Sequence, residues 1–504
     1  MVTTERVIGK KHPQPRVIKS FGTAETEAEI QKLQSMAQDY LHTDHDLQQL
    51  CISKESDITS CLCEISGFKN IYGKIFNSIF DSLKLSQSRQ HMLADLVTMR
   101  IIEPVSKLRT SNICADYGMH LAIDSIYKLM DKLDINHIKE LVYKHSQQLL
   151  ASNQQKLDVL FYDLTTIAFE TNNQDDYRAF GFSKDGKHQH VQITLAIIAT
   201  QEGLPISYEI FKGNTYEGHT LIPILTALRK TYSIERVVVV ADSGLISKKN
   251  VDAIKAAGLE YVIGARVKNL NRAILKQVFD DPQGYRQLNE DMQAKFINLK
   301  EDSDRLLICH SAKRARKDAA DREEAITKIQ QHLGSSPKTK LTGKLRKPYV
   351  KLSNDSVIEI DHDKIAVCAK FDGYFAIQTN IQSQDPQLIV QQYRGLWQIE
   401  QTFRIAKHNL RIRPVFHYTL KRIDAHFAIC YMALALVRSL EYIMHRKDCY
   451  IPLEQVHTLL RQVKTVSLTV KSETFCITAN WPKELVPIYY NLGVAQPKRF
   501  FRKM

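Results

Sequence analysis

Glycine and proline are scarce in this chain of 504 residues, which contains 19 Gly and 14 Pro. This scarcity excludes collagen-like and low-complexity proteins. The hydrophobic fraction of 44% and the charged fraction of 25% are typical of a globular protein. A chain of this length buries a substantial core, so its stability requires neither disulfides nor a structural metal. The length also suggests about three domains.

Long apolar runs and paired cysteines are also missing. The longest apolar run, Phe427 to Val437, has 11 residues, whereas a membrane-spanning helix needs ~20. No apolar stretch typical of a signal peptide follows Met1. The nine cysteines include no Cys-x-x-Cys pair, and Cys61 with Cys63 is a poor start for a zinc site. We therefore expect a cytoplasmic protein with reduced thiols and no membrane partner.

Acidic residues are outnumbered by basic ones. The chain has 69 Lys and Arg against 55 Asp and Glu, a formal net charge of +14. Residues 313–351 alone contain 12 basic and 4 acidic residues. Such a surplus favours a polyanionic partner, with nucleic acid first and an anionic membrane surface second. The alternative for the local run is a solvated helix and loop.

The N-terminal part of the chain has helical periodicity, because apolar residues recur at helix spacing over residues 70–150. Ser106 offers a helix start and Gly118 a helix stop. Two short helices around a glycine turn, with Lys107 and Arg109 nearby, resemble a helix-turn-helix that reads DNA. An ordinary helical bundle is the alternative.

Beyond residue 156 the pattern changes to apolar, β-branched runs that alternate with helical segments, which predicts an α/β core with a mixed sheet. Long helices are predicted over residues 387–410 and 424–444. The predicted strands lie at residues 157–171, 190–200, 205–213, 236–244, 259–266, 363–370 and 373–380.

Three carboxylates stand where surface acids are unusual. Asp163 lies inside an apolar strand and Asp242 at the end of another. An ionised carboxylate there is costly unless it is paired or metal-bound, although a helix cap or a hydrogen-bonded strand end is a common alternative. Tyr393, Glu400 and Lys407 are seven residues apart, so a continuous helix presents them along one stripe. The alternative is an exposed Glu–Lys stripe.

Carboxylates from two strands and one helix provide the hard oxygen ligands of a two-Mg²⁺ site. A Gly-rich phosphate loop of the Walker type is missing from the sequence, which disfavours NTP hydrolysis. The helix that contains Glu400 also has a second, apolar stripe, which we expect to pack on the sheet. It consists of Ile399, Phe403, Ala406 and Leu410.

The chain resembles the DDE transposases of bacterial insertion sequences, in the branch with a Y-x2-R-x3-E-x6-K signature. The matching pieces are YDLTT around Asp163, VVADSG around Asp242, and Tyr393, Glu400 and Lys407 at the signature spacing. This resemblance implies a ribonuclease H-like catalytic core with an insertion domain, preceded by a mostly helical N-terminal DNA-binding region.

The resemblance covers roughly residues 90–445 and also implies roles for single residues. The catalytic carboxylates Asp163, Asp242 and Glu400 hold two Mg²⁺ ions, for which Mn²⁺ can substitute. Tyr393 and Lys407 contact phosphates of the transposon end, and Trp397 stacks on an unpaired base. The signature arginine is replaced by Leu396, and Arg404, one turn beyond Glu400, is the better substitute.

We therefore expect a DNA transposase that binds the terminal inverted repeats of its insertion sequence and catalyses Mg²⁺-dependent end cleavage and strand transfer. It would act as a homodimer on double-stranded DNA, at the nucleoid in the bacterial cytoplasm. The alternatives are a two-metal nuclease without strand transfer and a catalytically inactive DNA-binding relic. The expected regions are an N-terminal part, a core in two parts around a basic insertion, and a basic C-terminal part: 1–150, 151–267, 268–365, 366–445 and 446–504.

Overall fold

The computed structural model describes most of the chain, and every structural statement here concerns the described residues. Before residue 58 these are short pieces, including residues 2–5 and 14–17. Asp242 lies outside the described residues, as does most of the basic run after residue 335. The longer described segments are 58–183, 189–216, 219–224, 238–241, 248–299, 304–335, 349–353, 356–382, 385–470, 473–479 and 481–503.

Numbered in chain order, the strands are β1 Val2–Glu5, β2 Gln14–Val17, β3 Ile58–Glu64, β4 Val159–Ala168, β5 Gln192–Thr200, β6 Pro205–Lys212, β7 Val238–Ala241, β8 Glu260–Ala265, β9 Arg286–Asn289, β10 Met292–Asn298, β11 Arg305–Ser311, β12 Val350–Ser353, β13 Ser356–Ile360, β14 Tyr374–Thr379, β15 Lys464–Val470, β16 Glu473–Ala479 and β17 Phe500–Lys503. The helices are α1 Ser66–Phe80, α2 Gln87–Ile102, α3 Lys107–Ile113, α4 Ile123–Met130, α5 Ile135–Ser152, α6 Lys248–Ala256, α7 Arg272–Phe279, α8 Ala312–Ser335, α9 His362–Ala369, α10 Pro386–Arg394, α11 Trp397–Arg404, α12 Leu420–Arg446, α13 Leu453–Gln462 and α14 Val486–Asn491.

The chain divides into two compact units. The first unit contains residues 1–138, 409–411 and 417–504, and the second contains residues 139–408 and 412–416. In the first unit, β3 from the N-terminal part pairs with β15 from the C-terminal part, within a four-stranded antiparallel sheet ordered β17-β16-β15-β3. The domain limits predicted from the sequence remain predictions.

Helix α12 lies at the centre of the first unit and packs against α1, α2 and α4. It contains the longest apolar run of the sequence, and the long helix predicted there is confirmed. Among the described residues it is the one helix long and apolar enough to cross a membrane, with a mean hydropathy of 1.5 in its most apolar window. Since 89% of that window is buried inside the structure, its environment is that of a core helix.

The two short helices predicted around Gly118 are present as α3 and α4. The Ser106 hydroxyl accepts a hydrogen bond from the Arg109 backbone N–H at 3.2 Å, which caps α3. Gly118 has a φ of 69°, a left-handed conformation that glycine adopts with little strain. Arg109 is exposed, whereas Lys107 is only 3% exposed. Lys107 therefore belongs to the core of this unit and is not available to a ligand at the surface.

The second unit is built on one nine-stranded sheet, ordered β6-β5-β4-β7-β8-β14-β11-β10-β9. Strand β4 lies antiparallel to β5 and parallel to β7, and β7 is parallel to β8. The other neighbours are antiparallel. The α/β class is thus confirmed, and the first five predicted strands correspond to β4 through β8. Strands β9 to β11, from the predicted insertion, continue this sheet through β14.

The strand predicted over residues 363–370 is wrong, because these residues form helix α9. The Asp361 carboxylate accepts a hydrogen bond from the Lys364 backbone N–H at 3.1 Å, so a local cap starts a helix. No residue of α9 is fully buried, and its apolar residues do not pack as an inner strand would. The next predicted strand, over residues 373–380, is confirmed as β14.

Candidate active site

The helix predicted over residues 387–410 is interrupted. Helix α10 ends at Arg394, α11 begins at Trp397, and a π-helical turn over residues 405–409 follows α11. A Cβ on Gly395 would lie 2.5 Å from Cζ of Phe161, so the turn between the two helices lies directly on strand β4. The stripe of Tyr393, Glu400 and Lys407 on one continuous helix is therefore wrong.

The predicted apolar stripe has the expected burial. Helix α11 contacts β4 and β5, and α10 contacts β7 and β8, so the two helices lie on neighbouring pairs of strands. Burying the apolar face of α11 stabilises the unit and fixes where its polar residues lie. The four stripe residues are all buried: Ile399, Phe403, Ala406 and Leu410.

Strand β4 presents Asp163 on the side that carries Phe161. Leu160, Tyr162 and Leu164 belong to the apolar core cluster of this unit, and alternate residues of a strand point to opposite faces. Asp163 is the one residue of β4 that is not fully buried. Its Oδ1 accepts a hydrogen bond from the Leu164 backbone N–H at 2.7 Å. A carboxylate thus lies within an otherwise fully buried strand, at an opening in the surface.

That opening is a cavity of about 430 Å³. Asp163 from β4 and Glu400 from α11 both line it, so the structure brings together two of the three predicted catalytic carboxylates. Two of the predicted DNA-contacting residues, Tyr393 and Trp397, also line it, and Trp397 is 54% exposed. The remaining lining residues are Tyr162, Ser311, Arg314, Phe375, Arg394, Leu396 and Ile399.

The Tyr393 side chain is positioned by two neighbouring strands. A Cβ on Gly264 of β8 would lie 2.4 Å from the Tyr393 hydroxyl oxygen, so this oxygen lies against the β8 backbone. The ring stacks on Phe375 of β14, with centroids 6.4 Å apart and planes at 18°. Tyr393 thus forms one wall of the cavity in a fixed orientation.

Two of the predicted site residues that the structure describes do not line the cavity. Arg404 is exposed on α11 and Lys407 is half-buried in the π-helical turn, and neither contributes to the cavity lining. Asp242 follows the last residue of β7, Ala241, and lies outside the described residues. Within the described part of the chain, no group of three or more His, Cys, Asp or Glu is arranged to hold a metal.

The structure adds two arginines that the sequence did not assign to the site, Arg314 from α8 and Arg394 from the end of α10. Their signals in the sequence were indirect. Arg314 is part of the basic run, and Arg394 lies two residues before the signature position that Leu396 occupies. On a continuous helix these two positions would face about 160° apart. Because the helix is interrupted at Gly395, Arg394 and Leu396 line the same cavity.

Hydrogen bonds fix the N-terminus of α8 beside the cavity. The Asp291 carboxylate accepts a hydrogen bond from the Ser311 hydroxyl at 2.7 Å and another from the Lys313 backbone N–H at 2.6 Å. These bonds, with smaller contributions from the charges of Arg316 and Arg394, lower the pKa of Asp291. The ionised carboxylate therefore holds the helix start that carries Arg314.

A second cavity of about 630 Å³ adjoins the first and shares Arg314, Phe375 and Tyr393 with it. Its lining mixes cations, carboxylates and aromatic rings. Two of its lining residues, Arg322 and Asp372, form an ion pair with Nη1 and Oδ1 2.5 Å apart. The two cavities therefore adjoin at these three shared residues of the second unit.

The donor set at the first cavity suits a hard divalent cation. Asp163 and Glu400 supply carboxylate oxygens, which Mg²⁺ and Mn²⁺ prefer, while the lining includes neither His nor Cys. The arrangement can therefore hold a cation beside two arginines. Such a combination suits a reaction at the phosphorus atom of an anionic substrate.

Replacing Gly395 by Ala is expected to destabilise the second unit by about 1–3 kcal/mol, the usual cost of overpacking. The added methyl group would overlap the ring of Phe161, which is fully buried. Calorimetric unfolding of the full chain measures the effect. Gly73→Ala is the matched control: nothing lies within 4 Å of its Cβ, and alanine in mid-helix α1 should stabilise by up to about 1 kcal/mol. Equal stability of the two variants would contradict the packing of Gly395 on β4.

Comparison with protein families gives a match over the part of the chain that contains Asp163, Asp242 and Glu400. Residues 154–436 match the family model described as "Transposase DDE domain". A comparison with curated proteins finds no significant match.

Two solved structures are similar over part of their length. A piggyBac transposase synaptic complex with hairpin DNA shares 9% identity, with a TM-score of 0.37 and 79% of each chain covered. The Mos1 mariner paired end complex with Mn shares 12% identity, with a TM-score of 0.15, covering 37% of this chain and 65% of that one. At these TM-scores neither supports an argument about this chain.

Proposed function

This chain belongs to the transposase DDE domain family, and from that premise we propose that it cuts and joins DNA at the ends of its own insertion sequence. The observation that carries the proposal is the shared cavity of Asp163 and Glu400. One carboxylate comes from the central strand β4 and the other from a helix packed on that strand. The ribonuclease H-like core is part of the proposal, and the mixed sheet around β4 supports it.

The metal site we propose consists of Asp163, Asp242 and Glu400. When bound there, two Mg²⁺ ions activate the attacking oxygen and stabilise the leaving oxygen of an in-line phosphoryl displacement. Asp163 contributes from a rigid, mostly buried strand, so its carboxylate is held in place before any ligand binds. Glu400 is exposed on α11 and can approach the ligand from the open side of the cavity.

The neighbouring side chains would position the DNA. Tyr393, fixed between Gly264 and Phe375, would donate a hydrogen bond from its hydroxyl group to a phosphate of the transposon end. Trp397, half exposed at the cavity, would stack on an unpaired base, an interaction worth about 1–3 kcal/mol. Lys407 and Arg404 would contact phosphates outside the cavity. Ordering the scissile phosphate in this way supplies the proximity that phosphoryl transfer needs.

Cleavage and joining would use the same cavity. In the first reaction, water attacks the phosphodiester at the repeat end and frees a 3′-OH. In the second, that 3′-OH takes the place of water and attacks the target phosphodiester. Since two ends must be joined together, the active species would be a homodimer on DNA. On the resemblance to transposases of bacterial insertion sequences, the protein would act at the nucleoid in the bacterial cytoplasm.

DNA recognition would fall to the first unit. Helices α3 and α4, which residues 114–122 separate, would be the DNA-contacting pair, and Arg109 is exposed at the start of α3. Since Lys107 is buried, base or phosphate contacts would come from Arg109 and its exposed neighbours. Phosphate contacts of this kind release counterions, so we expect the affinity for the inverted repeat to fall steeply with salt.

The test is a labelled DNA that carries the terminal repeat of the element, incubated with the full chain, Mg²⁺ and a supercoiled target plasmid. We expect a cut at the repeat end followed by a joined product, and no reaction on a scrambled repeat. Cleavage of both DNAs without joining would instead show a two-metal nuclease. Binding of the repeat without cleavage would show a DNA-binding relic.

A further inference from the structure

The cavity that holds Asp163 and Glu400 would have to accept a polyanion, yet its lining includes two carboxylates. Leu396 supplies an aliphatic side chain. A phosphodiester brought towards two carboxylates needs cations on the protein side, because the carboxylates alone repel it. Arg314 and Arg394 are the cationic residues that line this cavity among the described residues.

Arg314 is held in place by aromatic rings. Its guanidinium lies 5.4 Å from the centroid of Phe375, a cation–π contact. Phe375 in turn stacks on Tyr393. The helix start that carries Arg314 is fixed through Ser311, whose hydroxyl accepts a hydrogen bond from the Arg314 backbone N–H at 3.1 Å. The arginine is therefore presented by a rigid stack that also forms the wall of the cavity.

The ion pair of Arg314 with Asp318 leaves N–H donors of the guanidinium available to a ligand. The Asp318 carboxylate lies 3.8 Å from Nε of Arg314, which is beyond hydrogen-bond distance. It also accepts a hydrogen bond from the Gly373 backbone N–H at 2.9 Å. Arg314 remains 53% exposed and has five N–H donors in a planar fork, a geometry that matches two phosphate oxygens.

Arg394 lines the same cavity from the end of α10. It follows Tyr393 at the end of α10 and is exposed. After the hydrogen bonds from Ser311 and Lys313, the charge of Arg394 also contributes to the lowered pKa of Asp291. Burial raises the pKa of the Cys309 thiol to about 12, and the charge of Arg394 partly opposes this rise. Arg394 and Arg314 thus line the same cavity, one from the end of α10 and the other from the start of α8.

We propose that Arg314 and Arg394 form a phosphate clamp that holds one phosphodiester of the DNA strand in front of Asp163 and Glu400. The inference rests on the proposed function and deepens it, since it assigns substrate binding to a residue of the segment between the two halves of the core. The clamp supplies the positive charge at the cavity that Leu396 does not.

The direct test is Arg314→Ala. We expect the affinity for the repeat end to fall about tenfold to a hundredfold, the effect of losing a charge-assisted contact. The slope of log affinity against log salt concentration should decrease by about the contribution of one phosphate contact. Arg316→Ala is the matched control. Arg316 lies two residues further along α8, is exposed, and does not line the cavity, so this variant should lose less than about threefold.

A rescue variant separates a binding role from a structural one. In the Arg314→Ala background, Leu396→Arg returns a guanidinium to the cavity from another of its lining positions. We expect it to restore most of the lost affinity and salt dependence, with the unfolding temperature of all variants unchanged. If Arg314→Ala and Arg316→Ala behave alike while the wild type cuts the repeat end, the clamp is wrong and the transposase proposal stands. If the wild type neither binds nor cuts, both proposals fail.

Discussion

Asp163→Asn and Glu400→Gln are each expected to reduce cleavage of the repeat end by at least about a thousandfold while DNA binding persists. Each amide keeps the shape of the carboxylate and removes the charge that would hold Mg²⁺. Loss of several kcal/mol of transition-state stabilisation corresponds to this factor. Because one negative charge leaves the cavity, the affinity for DNA should stay equal or rise slightly.

The assay follows single-turnover cleavage of labelled repeat DNA in Mg²⁺ and in Mn²⁺, with binding measured separately by gel shift. Glu323→Gln is the matched control, since Glu323 is an exposed residue of α8 and its amide removes the same charge far from the carboxylates. It should cut like the wild type. If Glu400→Gln also cuts like the wild type, Glu400 is not a metal ligand and the assigned site is wrong.

The sequence predicted the parts of this site that depend on local pattern. Strand β4 was recognisable because its residues are apolar and β-branched, and Asp163 was conspicuous as the one carboxylate inside it. Alternation along the strand then determines which side Asp163 shares with Phe161. The buried stripe around Ile399 was predictable for the same reason, since helix periodicity assigns an inner face.

The rest depends on contacts between residues far apart in the sequence. The break at Gly395 exists where the helix meets Phe161 of β4, and a single glycine in a helical pattern does not by itself determine a break. Arg314 reaches the cavity because β11 pairs with β14, which brings the start of α8 beside Phe375. The wrong strand over residues 363–370 has a local cause, because the cap at Asp361 favours a helix over the apolar pattern.

Lys107→Met is expected to stabilise the first unit by about 1–3 kcal/mol, the cost of a buried polar group without a partner. Lys107 is 3% exposed, and its ammonium nitrogen has no hydrogen-bond partner among the described residues. Burial, and then the charge of Arg100, lower the pKa of Lys107 well below 10.5, while Cys430 opposes this. Methionine fills a similar volume and removes the polar group.

The gain should depend on pH in a defined direction. Between the lowered pKa of folded Lys107 and the ordinary value of 10.5, the unfolded chain binds the proton and the folded chain does not. Stability of the wild type therefore rises with pH over that interval, by linkage. Lys107→Met lacks this contribution, so the difference in stability between variant and wild type should narrow as the pH rises from 7 towards 10.

The chain contains only two tryptophans, which makes the measurement specific to the first unit. In a Trp397→Phe background, the remaining Trp481 belongs to that unit and packs edge-on against Tyr489 with ring centroids 4.5 Å apart. Its fluorescence during urea unfolding follows this unit alone. Arg109→Met, an exposed change on the same helix, should shift stability by less than about 0.5 kcal/mol at every pH.

A result in which Lys107→Met is less stable than the wild type would show that the ammonium is charged and paired in the folded state. The alternative partner would then be an anion bound beside Arg100, and the variant would lose stability most at neutral pH, where a charged lysine binds it. A stabilised variant whose advantage narrows with pH shows instead that the first unit carries a neutral lysine in its core. In that case Lys107 lowers the stability of the first unit, and Arg109 is the exposed basic residue at the start of α3.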